Sequence, residues 1–155
     1  FLGSKEKALR IKDQELTRIV GEQNAKLEAI AGMTQSQVKE MLENDHLLLH
    51  VSYDWGGGDY ESGIEAAGHV GNIEIANYLL SKGARYNVYL ACMLGHLDSV
   101  KNVLTFNPGL LNSKGPHGFT MLHHANKGGE SAKAVVDYLV SRGAKETRVD
   151  FYGKV

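Results

Sequence analysis

Three segments of this chain follow one pattern, and a repeat at such spacing constrains the fold more than any other feature. They are "AAGHVGNIEIANYLLSKGARYN" (66–87), "LACMLGHLDSVKNVLTFNPGLLN" (90–112) and "HHANKGGESAKAVVDYLVSRGAK" (123–145). Each has a small-residue pair, a glycine near a helix junction, and an apolar run that ends in a helix stop. Gly83-Ala84 and Gly143-Ala144 close two of them. A further match pairs "VKEMLENDHLLLHV" (38–51) with "VKNVLTFNPGLLNS" (100–113).

Local signals read as short helix pairs. Thr34 with Gln37, and Ser62 with Glu65, have capping-box spacing, in which each side chain satisfies a backbone donor the helix leaves orphaned. Ile73, Ala76, Leu79 and Leu80 form one apolar face, as do Val135, Val136, Leu139 and Val140. Gly83 and Gly143 fall where a left-handed residue would end those helices. Helices of roughly nine residues are marginal alone and need neighbours to stack on.

A length of 155 residues supports one domain with a real core. Apolar content of 43% and charged content of 23% are ordinary globular usage, which argues against wholesale disorder. A net charge of -1 gives no global attraction to nucleic acid or an acidic membrane surface. No apolar run approaches the roughly 20 residues that span a bilayer. The single cysteine, Cys92, excludes an internal disulfide framework and fits a reducing compartment, so a cytoplasmic location is expected. Phe1-Leu2-Gly3 reads as the end of a targeting segment or the edge of a cut chain, and the charged Lys5 to Glu15 is not a signal-peptide core. Pro108 and Pro116, the only prolines, share one stretch that reads as a loop.

At this point the residues resemble the ankyrin repeat family. Thr120-Met121-Leu122-His123 looks like its Thr-Pro-Leu-His signature, with Met121 in place of proline. Gly95-His96-Leu97-Asp98 followed by Val100 looks like its Gly-His-x-Glu-Val junction. Leu79-Leu80-Ser81-Lys82-Gly83-Ala84 with Asn87 looks like its repeat ending. The resemblance covers about residues 32 to 153 as roughly four repeats. It implies an all-α, ankyrin-like solenoid of stacked helix pairs with short β-hairpin fingers. Departures are plain: Gly71 to Gly95 spans 24 residues against the roughly 33 of the family period, so a β-finger is missing between Ala84 and Ala91. Gly32 to Gly71 spans 39 and so contains an insertion, which holds "SYDWGGGDYE". By register, Trp55 to Glu61 is a projecting finger and Ser62 caps the next helix. Its glycines accept positive φ without a Cβ clash. The spacing matches neither a Walker loop nor a dinucleotide fingerprint.

Seven histidines invite a metal reading. The resemblance gives His123 an inter-repeat hydrogen bond, and His96 sits at a helix junction. His46 and His50 lie in a polar connection and read as solvated. His69, His117 and His124 are left as members of one surface, with His69 and His124 on the first helices of their repeats, which line the concave face in ankyrin proteins. No His-Glu-x-x-His occurs and no His-x-x-x-His reads as a helix pattern, the His46/His50 pair falling in the polar connection, so no metal and no cofactor is expected. Asp59 and Glu61, two apart, fall on the same face of a hairpin and read as a solvated turn rather than an acid–base pair. Cys92 reads as a small packing residue. Trp55, Tyr60, Tyr89 and Phe119 lie in or beside fingers, where such residues anchor interfaces. Trp55 alternatively folds back to shield the first repeat.

Residues 1–31 form the first unit, an amphipathic helix from about 4 to 30, interrupted or not at Gly21. Leu9, Leu16 and Ile30 recur on a heptad that Gln23 breaks, and Ile19, Val20 and Leu27 widen the stripe. Its expected role is to cap the repeat domain of 32–155, with dimerisation as the rival. The favoured function is a non-catalytic protein-binding module, monomeric or weakly dimeric, with a partner surface of Trp55, Asp59, Tyr60, His69, Tyr89, His117, Phe119 and His124. The alternative is a small-ligand or metal-binding protein, or an enzyme, with its site between the Trp55–Glu61 finger, His69 and His117. Convergence of His, Asp and Glu in a cleft would favour that alternative.

Overall fold

The computed structural model describes residues 2–30 and 32–145, without the side chains of 23–28. The chain is mostly helical. Helix α1 (Leu2–Ile30) leads to α2 (Gln35–Asn44) and a 3₁₀ turn (His46–Leu49), then to the short strands β1 (Ser52–Asp54) and β2 (Tyr60–Ser62). Three helix pairs follow: α3 (Gly63–Val70) with α4 (Ile73–Ser81), α5 (Val88–Met93) with α6 (Leu97–Phe106), and α7 (Met121–Lys127) with α8 (Lys133–Ser141). Further 3₁₀ turns at Pro108–Asn112, Pro116–Gly118 and Gly129–Ala132 lie within the last two pairs and between them.

The helix ends follow the local chemistry. Thr34 and Ser62 make the expected capping boxes with Gln37 and Glu65, while the side chains of Asn72, Asn87 and Thr120 accept from backbone N–H groups of the helices they start. Gly83 and Gly143 adopt φ of 95° and 87°, and Ala84 and Ala144 donate to the carbonyls of Leu79 and Leu139 at 3.0 Å each. The two loops are therefore the same structure 60 residues apart in sequence.

The short connection after Ala84 has a tertiary consequence. With only Arg85 and Tyr86 before the capping Asn87, α5 follows α4 with no strand between them. Helix α3 then packs against both α5 and α7, where an open linear stack would hold α3 and α7 apart. A Cβ on Gly68 would lie 2.9 Å from Leu90 of α5 and 4.0 Å from His124 of α7, so glycine permits the three-way approach. Two hydrophobic cores result. Ile30, Val38, Ile64, Ile75, Leu79, Leu90 and Met93 build one; Cys92, Val100, Leu104, Met121, Val135 and Leu139 build the other, and α5 contributes to both. Cys92 is buried and burial pushes its thiol up to about 12, so it is a packing residue.

Helix α1 runs unbroken through Gly21. Ile30 at its end is buried, but Leu9, Leu16, Ile19 and Val20 are exposed. These four residues of the expected stripe are therefore not covered; Ile30 at the C-terminal end joins the core, and α1 packs against α3. Leu27 and Gln23 lie outside the described side chains. No described helix is long and apolar enough to cross a membrane.

Candidate metal centre

The glycine-rich stretch makes a closed turn. The Asp54 carboxylate accepts from the Gly56 N–H at 2.8 Å, and the Trp55 N–H donates to the Asp59 carbonyl at 2.8 Å. Gly56, Gly57 and Gly58 take φ of 95°, 64° and 89°, a run of left-handed conformations that side chains would strain. Antiparallel pairing sets Tyr53 opposite Glu61 and Asp54 opposite Tyr60. Alternation along β2 then turns Tyr60 outward, 58% exposed, and Glu61 inward, 3% exposed. Ser62 is both the last strand residue and the cap of α3, so Glu61 is held next to a rigid helix start.

Facing Glu61 are two histidines from other elements. His69, in the last turn of α3, brings Nδ1 to 2.7 Å from Glu61 Oε1. His117, from the Pro116–Gly118 turn, brings Nε2 to 2.9 Å from Glu61 Oε2. On its other side His117 is clamped by Asp59: its backbone N–H donates to Oδ1 at 2.9 Å and its Nδ1–H to Oδ2 at 2.8 Å. The spacing of two does put Asp59 and Glu61 on one face, but that face is enclosed. The sequence reading of both as a solvated turn is corrected: the Asp59 and Glu61 side chains are 13% and 4% exposed.

His117 has φ of 56° and is the one non-glycine residue with positive φ among the described residues. A non-glycine residue there costs on the order of 1–3 kcal/mol, and such strain gathers at functional sites. The two hydrogen bonds to Asp59 and the flanking Gly118, φ 73°, hold it in place.

The Glu61–His69 contact is not an ordinary ion pair. Oε1 and Nδ1 are 2.7 Å apart, yet both are buried without a hydrogen-bond partner, because the approach is misaligned for N–H donation. One ligand atom from each of Glu61, His69 and His117 lies within 4.8 Å of the other two. An aromatic ladder walls the site. His123 stacks on Phe119 at 3.9 Å, Phe119 on His69 at 5.4 Å, and His69 meets His117 edge-on at 5.3 Å. Trp55 then meets His117 edge-on at 5.0 Å.

The residues expected on a partner surface are thus mostly turned inward. Trp55, Asp59, His69, His117 and Phe119 come together in the site, and Trp55 folds back instead of projecting. His124 is 1% exposed, donates Nδ1–H to the Thr120 carbonyl at 2.8 Å, and cannot line an open concave face. Burial pushes its imidazole down to about 4, against the raising effect of that bond. Tyr89 is half-buried, with its ring on His124 at 5.2 Å and its hydroxyl 2.8 Å from Ser113; burial raises its phenol. Tyr60 alone of the eight is exposed. His123 donates Nε2–H to the His69 carbonyl at 3.1 Å, a bond that ties α7 to α3. Glu61 is the residue missing from the expected set. Its signal was its position just before a capping Ser62, on the inward beat of a two-residue alternation.

Comparison with protein-family models and with curated proteins finds no match for this chain.

Proposed function

We propose that the chain binds a divalent transition-metal ion of the zinc class through Glu61, His69 and His117, on a scaffold of ankyrin-like helix pairs. The observation that carries this reading is the convergence of three ligand atoms within 4.8 Å. Bond lengths of about 2.0–2.2 Å put ligand atoms in a tetrahedral site roughly 3.3 Å apart, so small rotations of the three side chains suffice. Two imidazoles and a carboxylate are donors suited to zinc, cobalt or ferrous iron rather than calcium or magnesium.

Proton bookkeeping supports the same reading. Nδ1 of His117 donates to Asp59, so in a neutral ring Nε2 presents a lone pair to Glu61 Oε2 at 2.9 Å. A second proton or a cation relieves that repulsion. An ion also gives Glu61 Oε1 and His69 Nδ1 a shared partner in place of their misaligned contact. Asp59 orients His117 from behind, as carboxylates do for metal-bound histidines.

The test is titration of the chelator-treated protein with Zn²⁺ and Co²⁺ by calorimetry and visible absorption. One ion per chain is expected, and His69→Ala and Glu61→Ala each weaken binding by at least about 100-fold while circular dichroism stays helical. Absence of binding, or binding that survives both changes, overturns the reading and leaves the cluster a polar staple between finger and helices.

Recognition of a protein partner stands as the second reading. One observation favours it: exposed Tyr60 and Tyr86 border a groove with Ser52, Ser62, Glu65, Arg85 and Asn87. That groove lies on the outer side of the same finger.

A further inference from the structure

Resting on the metal reading above, we infer that the ion keeps one coordination position open and takes there a small carboxylate or like oxyanion, which Trp55 receives through its indole N–H. Three side chains, and no fourth His, Cys, Asp or Glu, make up the group among the described residues. Asp59 is spent on the backbone and ring of His117. A zinc-class ion with three protein ligands completes its shell with water or an exogenous ligand.

The polar atoms around the site then choose the ligand's chemistry. Trp55 Nε1 is buried and has no hydrogen-bond partner, although its ring lies against His117 at 5.0 Å. An indole N–H only donates, and a buried donor without an acceptor carries a desolvation penalty of about 1–3 kcal/mol. Its missing partner must be an acceptor. One anionic ligand, Glu61, beside two neutral imidazoles leaves the ion and its three direct ligands with a net charge of +1, which Asp59 meets only through the His117 ring. An oxygen anion on the ion answers both: it neutralises the centre and accepts from Trp55. Trp55 lies against His117 at 5.0 Å and Phe119 against His69 at 5.4 Å, and these rings favour a short ligand with little polar surface beyond its charged end.

The experiment uses the full chain saturated with Co²⁺, whose visible bands report the number and type of its ligands. Acetate and azide are titrated at constant ionic strength, with chloride as the matched salt. The expected result is a saturable change in the Co²⁺ bands, and in Trp55→Phe an anion affinity about ten- to a hundredfold weaker, the worth of one hydrogen bond to a charged group. Bands that do not respond to either anion overturn the open position. Bands that respond equally in Trp55→Phe overturn the role of the indole. Failure to bind Co²⁺ at all is read in the preceding metal titration and sinks the metal reading itself. Should Trp55→Phe not fold, the wild-type anion titration still decides the open position, and a Trp55 fluorescence change on adding acetate to Zn²⁺-loaded protein decides whether the indole meets the ligand. This chain has one tryptophan, so that signal has a single source.

Discussion

Replacing Gly95 by alanine separates two costs that the structure keeps apart. Gly95 has φ of 76° at the α5–α6 junction, and a Cβ there would stand 2.1 Å from the Ser131 carbonyl oxygen and 2.9 Å from its carbon. Gly83 has a similar φ of 95° with nothing within 4 Å of the same atom. Both alanines carry the left-handed penalty of about 1–2 kcal/mol. Only Gly95→Ala must also push a neighbouring backbone away. A carbon–oxygen approach of 2.1 Å has to open by about 1 Å, which lifts the Gly129–Ala132 turn off α5. Strain of that kind adds about 1–3 kcal/mol. Urea unfolding followed by circular dichroism is therefore expected to show Gly95→Ala less stable than Gly83→Ala by about 2 kcal/mol. At a typical slope that is about 1 M in midpoint. Equal midpoints at equal slopes would refute the tight packing of the α5–α6 and α7–α8 pairs at this junction.

Zn²⁺ at a concentration 100 times its dissociation constant should stabilise the fold by about 2.7 kcal/mol, visible as a raised urea midpoint that chelator reverses; no shift would count against a site formed only in the folded state. Asp59→Asn should weaken metal binding by about 10–100-fold with His117 still a ligand, since only its orientation is lost; unchanged affinity would show Asp59 to be idle. For His124, whose imidazole burial pushes down from 6.5 to about 4, the unfolded chain binds a proton that the folded one refuses. Its contribution is complete above about pH 6.5, falls as pH drops to about 4, and amounts to about 3 kcal/mol; His124→Asn should flatten that part of the midpoint-against-pH curve. Cys92 should react with a thiol reagent only on unfolding, and reaction at the rate of a free thiol in the native protein would contradict its burial.

Local chemistry determined much of this molecule without help from the fold. Thr34 with Gln37 and Ser62 with Glu65 define helix starts because a cap needs only residues three apart. Gly83 and Gly143 define helix ends because a left-handed residue needs only the absence of a Cβ. The two-residue spacing of Asp59 and Glu61 put them on one face for the same short-range reason. Whether that face meets water is not a local property. Glu61 is buried because the finger closes over α3 and onto the Pro116–Gly118 turn, which bridges 56 residues of sequence and follows from α3 touching both α5 and α7. Ligands drawn from a strand, a helix and a turn leave no fixed spacing in a sequence, and the pair that does have helix spacing, His46 and His50, is not among them. The inward turn of Trp55, the burial of His124 and the meeting of Glu61 with His69 and His117 were decided by that closure, since periodicity reports which face is apolar but not which two faces meet.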